Sequence, residues 1–226
     1  MIDYLYNQVA PAGTTAVGQQ VFAFTTSAPS GKAVRWRLSH LADTIDQTAS
    51  EHPHCRVLSL ACGHLREAGL SQAVRGGAVS VLHAIDQDPV SLAVVRRDYA
   101  DIPCMSAAEG SVRQILKFGI PHDELHLAYA AGLYDYLEIG AAQALTRRLF
   151  DALAPGGRLI VPNFLRTNFA RGYMESFMDW HLIVRDRTEI ESIGASLLPD
   201  DVAESRYFED PFGVVGYLEV VRRDRT

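Results

Sequence analysis

The stretch VLSLACGHLREAG, residues 57–69, decides the fold. An apolar run breaks into small residues at Ala61, Cys62 and Gly63, and a helical pattern then resumes. A strand that feeds a helix through a small-residue turn is a common way to hold a nucleotide-like ligand. Yet the turn has one glycine where a dinucleotide fingerprint has three, and the acidic residue expected there is missing. The stretch reads as an unusual ligand-binding turn or as a tight corner in a core.

Working outward, strand-like and helix-like segments alternate. RVLSLA (56–61), AVSVLHAID (78–86), a short piece near IPCM (102–105), ELHLAYA (124–130) and RLIVPNF (158–164) read as strands. Helices are expected at 65–74, 88–100, 140–153 and 171–184, with Asp88 capping the second and Pro89 at its first position. Thr188 to Glu191 reads as a capping box opening another helix. ESRYFED (204–210) and VVGYLEVVRR (214–223) form a closing hairpin around DPFG. The expected fold is α/β: a doubly wound, Rossmann-like, mostly parallel seven-stranded sheet with an antiparallel C-terminal edge. The polar break TTSAPSGKA (25–33) separates an N-terminal arm, residues 1–30, from a single domain, residues 31–226, which opens on an amphipathic helix from Val34 to about Ser50.

Composition excludes several classes. The chain has 226 residues, 48% hydrophobic and 21% charged, and a net charge of −6. That balance argues against a nucleic-acid partner. No apolar run approaches the length of a membrane span, so no membrane insertion is expected. Cys55, Cys62 and Cys104 have neither zinc nor disulfide spacing, and the histidines are scattered, so no metal is expected. The reading is a cytoplasmic protein.

In a doubly wound sheet the ligand sits beyond the carboxyl ends of the strands, where strand order reverses. Asp86 closes the second strand, 23 residues after Gly63. A carboxylate there can accept both ribose hydroxyls of an adenosine, or merely end a strand beside the cap Asp88. A single glycine suits a pyrophosphate poorly, and there is no P-loop. S-adenosylmethionine, which carries no phosphate, tolerates such a turn.

The series VLSLACG, AIDQDP, EGSVRQIL, LAYAAGLYDYL and LAPGGRLIVPNF resembles the class I S-adenosylmethionine-dependent methyltransferases. AGLYDYL, LAPGGRLIVPNF and YMESFMDWHLIVRDRTEI further resemble a bacterial group that includes synthases of 3-hydroxy fatty-acid methyl ester signals. The resemblance implies S-adenosylmethionine as cofactor and methyl transfer to a small-molecule acceptor. By position it places Ser59, Ala61, Cys62 and Gly63 along the methionine part of the cofactor, Asp86 on the ribose and Gln87 against the adenine. Ser111 and Val112 match the loop at the adenine edge, although Ser111 also reads as a helix N-cap. The family usually has an acid at Ser59 and glycine at Ala61; a carbonyl near Ala61 or Tyr129 is expected to meet the cofactor ammonium instead.

The acceptor is expected to be an oxygen, of a carboxylate or a hydroxyl. Tyr134 and Tyr136 follow the fourth strand, where the acceptor is expected, and Tyr173 and Trp180 share a helical stripe with Phe177 and Val184, a pattern more often found in a core. His181, on that helix, is the candidate base and Tyr134 a second catalytic candidate. Arg171 can hold an anionic acceptor. The arm carries Tyr4, Tyr6, Phe22 and Phe24, which are expected to cover the acceptor pocket, with Tyr6 lining it, or to pack on a partner in a homodimer. As a lid, loss of the first 25 residues impairs acceptor turnover and largely spares cofactor binding. The rival readings are a nicotinamide-dependent oxidoreductase and a non-catalytic cofactor-binding module.

Overall fold

The strand that opens the quoted stretch is buried on both faces, and this builds a sheet covered on both sides. Val57 packs on one face and Leu58 and Leu60 on the other, as the two-residue period of a strand requires. In this computed structural model residues 2–224 are described; residues 1, 225 and 226, which the sequence assigns to the arm and the domain end, lie outside them. Helices α1 (Ile2–Asn7), α2 (Ala16–Ser27) and α3 (Pro29–Glu51) precede β1 (Cys55–Leu60), and α4 (Arg66–Leu70) and α5 (Gln72–Arg75) follow it. The alternation continues through β2 (Val79–Asp86), α6 (Pro89–Asp98), β3 (Met105–Glu109), α7 (Val112–Phe118) and β4 (Leu125–Tyr129). Next come α8 (Ile139–Asp151), β5 (Leu153–Phe164), α9 (Arg171–Met178) and α10 (Arg187–Ser192). The hairpin β6 (Val202–Glu209) and β7 (Val215–Arg222) ends the fold.

The seven strands order as β3-β2-β1-β4-β5-β7-β6. β1 to β5 run parallel, and β7 runs antiparallel between β5 and β6 in the C-terminal hairpin. α3 and α6 bury Val34, Leu41, Ile45, Leu92 and Val95 against one face. α7, α8 and α10 bury Ile115, Leu145, Leu149 and Ile190 against the other. The order reverses between β1 and β4, so their carboxyl ends open a crevice. Among the described residues no helix is long and apolar enough to cross a membrane.

Several boundaries differ from the sequence reading. The polar break at 25–33 is only a corner: α2 and α3 meet at Ala28, and Pro29 starts α3. The helix expected at 65–74 splits at Ser71, whose hydroxyl accepts from the Val74 amide and caps α5. The third strand starts at Met105, beyond the IPC segment. PGG lies inside β5 as a bulge, since Leu125 faces Leu153 while Leu127 faces Arg158. Gly157 is required there, because a Cβ would sit 2.4 Å from the Leu125 carbonyl oxygen. The helix expected over 171–184 stops at Met178: Asp179 turns left-handed at φ 47°, and the chain straightens to pair Arg185 with Leu165. The capping box is built on Asp186 and Glu189, so α10 starts before Thr188.

Candidate active site

The corner after β1 is a chain of left-handed residues. Ala61, Gly63 and Leu65 have φ of 52°, 53° and 52°. This wraps the backbone tightly and leaves the Gly63 amide facing the crevice. The Asp86 carboxylate meets it: Oδ2 accepts from Gly63 N at 2.8 Å, and Oδ1 accepts from Asp88 N at 2.9 Å. Two amides thus fix the acid.

Two cavities meet at Ala61. The smaller, about 70 Å³, is bordered by Asp86, Gln87, Gly110, Ser111 and Val112. Ser111 is also the N-cap of α7, with Gln114 completing a capping box, as the N-cap reading of the sequence expects. The larger, about 310 Å³, is bordered by Tyr6, Arg37, Cys62, Gly63, Glu67 and Gly132 among others. Cys62 is a neutral wall rather than a nucleophile: burial, then the Asp86 and Glu67 charges, push its thiol well above the usual range.

Glu67, in the first turn of α4, brings a carboxylate next to Ser59. It is fully buried, and its Oε1 accepts from Tyr129 Oη at 2.9 Å and lies 3.5 Å from Ser59 Oγ. Burial raises its carboxyl. Ser59 and Tyr129 therefore hold Glu67 in place rather than bordering the cavity themselves.

α1 closes the cleft from above. Asp3 bonds Arg66 Nη2 at 2.8 Å and lies 2.7 Å from His64 Nδ1. The Arg66 guanidinium, with a smaller contribution from His64, holds the Asp3 carboxyl down at about 2. Leu5 is buried, while Tyr4 and Phe24 remain exposed.

No family model matches the chain, and no curated protein does. Solved structures do. A Bordetella parapertussis protein described as a possible exported protein aligns at 17% identity over 98% of this chain and 78% of that one, with a TM-score of 0.76. The S-adenosylmethionine-dependent methyltransferase SibL, in its apo form, aligns at 16% over 93% of this chain, TM-score 0.61; this chain spans 60% of its length. The N-methyltransferase NodS from Bradyrhizobium japonicum WM9, in complex with S-adenosyl-L-homocysteine, aligns at 16% over 84% of this chain and 88% of that one, TM-score 0.58. The fold is that of S-adenosylmethionine-dependent methyltransferases. At these identities the likeness is one of fold.

On this methyltransferase fold the expected acceptor residues scatter. Tyr134 is fully buried on the α8 side of the sheet, its hydroxyl 2.9 Å from Thr146 Oγ1, so it belongs to the core and not to a reaction centre. His181 is exposed and 3.1 Å from Asp179, outside the cavities, because α9 ends before reaching it. Arg171 forms an exposed pair with Glu175. Tyr173 bonds Thr25 and stacks on Phe177, and Trp180 donates to Tyr136 Oη at 2.8 Å. These four aromatic groups tie α2, α9 and the segment after β4 together at the surface, away from the two cavities. Of the expected acceptor residues, only Tyr6 borders the larger cavity.

The sequence reading missed Arg37, Glu67 and Asp3. Glu67 lies inside the quoted stretch, 8 residues after Ser59. Its signal was its distance from Ser59, two turns of chain that the left-handed corner folds back. It also missed a buried polar knot at the end of β5. Asp135 accepts from the Phe164 amide at 2.7 Å, and Arg185 donates to the Tyr134 carbonyl at 2.8 Å and to Asn163. Burial pushes the Asp135 carboxyl up to about 6.

Proposed function

We propose that the protein transfers a methyl group from S-adenosylmethionine to an oxygen of a small-molecule acceptor. One observation carries this reading: the Asp86 carboxylate stands 2.8 Å from the Gly63 amide where strand order reverses, with a cavity on either side of Ala61. Asp86 takes the ribose hydroxyls, while Gln87, Ser111 and Val112 border the adenine. The Cys62–Gly63 corner and Glu67 face the methionyl end. The sulfonium supplies an already activated methyl, so the chain's residues act by aligning the acceptor and excluding water. α1 serves the second purpose, roofing the larger cavity with Ile2, Asp3 and Tyr6.

The acceptor oxygen we favour is a carboxylate, which is ionised at neutral pH and needs no base. This suits a cleft whose one bordering histidine, His64, is engaged with Asp3. The resemblance of residues 131–137, 153–164 and 173–190 to makers of 3-hydroxy fatty-acid methyl esters supports an acid of that class. Three free, buried cysteines accord with the reducing cytoplasm.

Calorimetric titration with S-adenosylhomocysteine tests the cofactor. The wild type binds it, and Asp86→Ala weakens binding about 30-fold, the equivalent of two hydrogen bonds at about 1 kcal/mol each. Binding of NAD in its place makes the protein an oxidoreductase instead. Binding with no turnover of S-adenosylmethionine on any 3-hydroxy acid or alcohol marks a regulatory module.

A further inference from the structure

We infer that Arg37 is a carboxylate-binding residue of the larger cavity. It projects from α3, the helix packed on β1 and β4, and borders the cavity beside Tyr6, Glu67, Ala131 and Gly132. The residue is 4% exposed, and its Nε and Nη1 are buried without a hydrogen-bond partner. A guanidinium cannot shed its proton to escape burial, so its unused donors call for an anion.

The carboxyls on which its charge acts are already committed. Glu67 receives Tyr129 and Ser59, and Asp135 receives the Phe164 amide. Burial raises both carboxyls and Arg37's charge offsets only part of that, and it forms no ion pair with either among the described residues. The cavity wall thus offers a fixed positive group and a fixed acid side by side. That is the complement of an α-amino acid end, an ammonium on Glu67 and a carboxylate on Arg37.

The carboxylate has two sources: the methionyl end of the cofactor, which rests on the reading above, or the acceptor acid. Calorimetry separates them on the full chain. The wild type and Arg37→Met are titrated with S-adenosylhomocysteine and with its decarboxylated analogue. They are then titrated with 3-hydroxydecanoate and its amide, with and without S-adenosylhomocysteine. The expected result is that decarboxylation weakens binding to the wild type at least tenfold, and that Arg37→Met binds both forms alike. If the acceptor is the source, the two cofactor forms bind the wild type equally. The acid then outbinds the amide at least tenfold, and only in the wild type.

Equal binding within both pairs by the wild type overturns the inference without reference to any variant. So does a preference that survives in Arg37→Met. Failure of the wild type to bind S-adenosylhomocysteine overturns the cofactor reading instead, and the acid and amide comparison then decides Arg37 by itself.

Discussion

Ala61 occupies left-handed backbone space that glycine enters freely and a Cβ resists. The resemblance led us to expect glycine at this position, and the turn keeps its shape with alanine at the cost of local strain. Ala61→Gly therefore raises stability by about 0.5–1 kcal/mol, the strain relieved less the added chain entropy. In a domain of this size that lifts the melting temperature by roughly 1–4 °C, read by calorimetry. An unchanged or lower melting temperature shows that the corner holds no such strain. Glu67 makes a second point at this scale. A carboxylate's place in sequence matters less than where the backbone turn delivers it, and three left-handed residues bring an acid from α4 to the hydroxyl of a β1 serine.

The element that changes the reading most is α1. The sequence suggested an aromatic arm over the acceptor, detachable without harm to the cofactor site. In the structure its Asp3 clamps His64 and Arg66, which flank the Gly63 corner, and Arg35 donates to the Leu5 carbonyl at 2.9 Å. Removing residues 1–12 therefore weakens S-adenosylhomocysteine binding about tenfold, measured by titration, because the roof and one side of the corner leave together. Full affinity in the truncated protein returns α1 to a role at the acceptor alone. The broken α9 teaches the same lesson from the other end of the chain. Tyr173 and Phe177 keep helical spacing and stack, but Trp180 follows a left-handed Asp179 and packs edge-on against Phe164 instead. A stripe in sequence is a face only where the helix continues.

For the molecule as a whole, the buried knot around Asp135 sets a pH dependence. Its folded carboxyl is pushed up to about 6 by burial, above the unfolded value of 3.8. The folded state therefore holds a proton that the unfolded chain has already released. This group's contribution to stability falls as pH rises from about 4 through 6. Asp135→Asn, which still offers an oxygen to the Phe164 amide, does not titrate. Its stability relative to the wild type rises across that window by about 2–3 kcal/mol, from urea midpoints at pH 4, 5, 6 and 7. A difference that stays flat with pH shows that Arg185 and Arg37 keep Asp135 ionised throughout. The same knot ties β5 to the segment after β4, so it also braces the wall of the crevice opposite Asp86.

By itself the sequence determined the alternation of strands and helices, the parallel sheet and the acid that closes β2, because those depend on local period and on turn residues a few positions apart. It also located the small-residue corner and the helix cap at Ser111, for the same reason. Tertiary structure alone decided that Arg37, Glu67 and Asp3 share one cavity, that Tyr134 is core, and that His181 faces solvent. Those outcomes depend on where a helix ends and which way a left-handed turn points, and neither leaves a periodic trace along the chain.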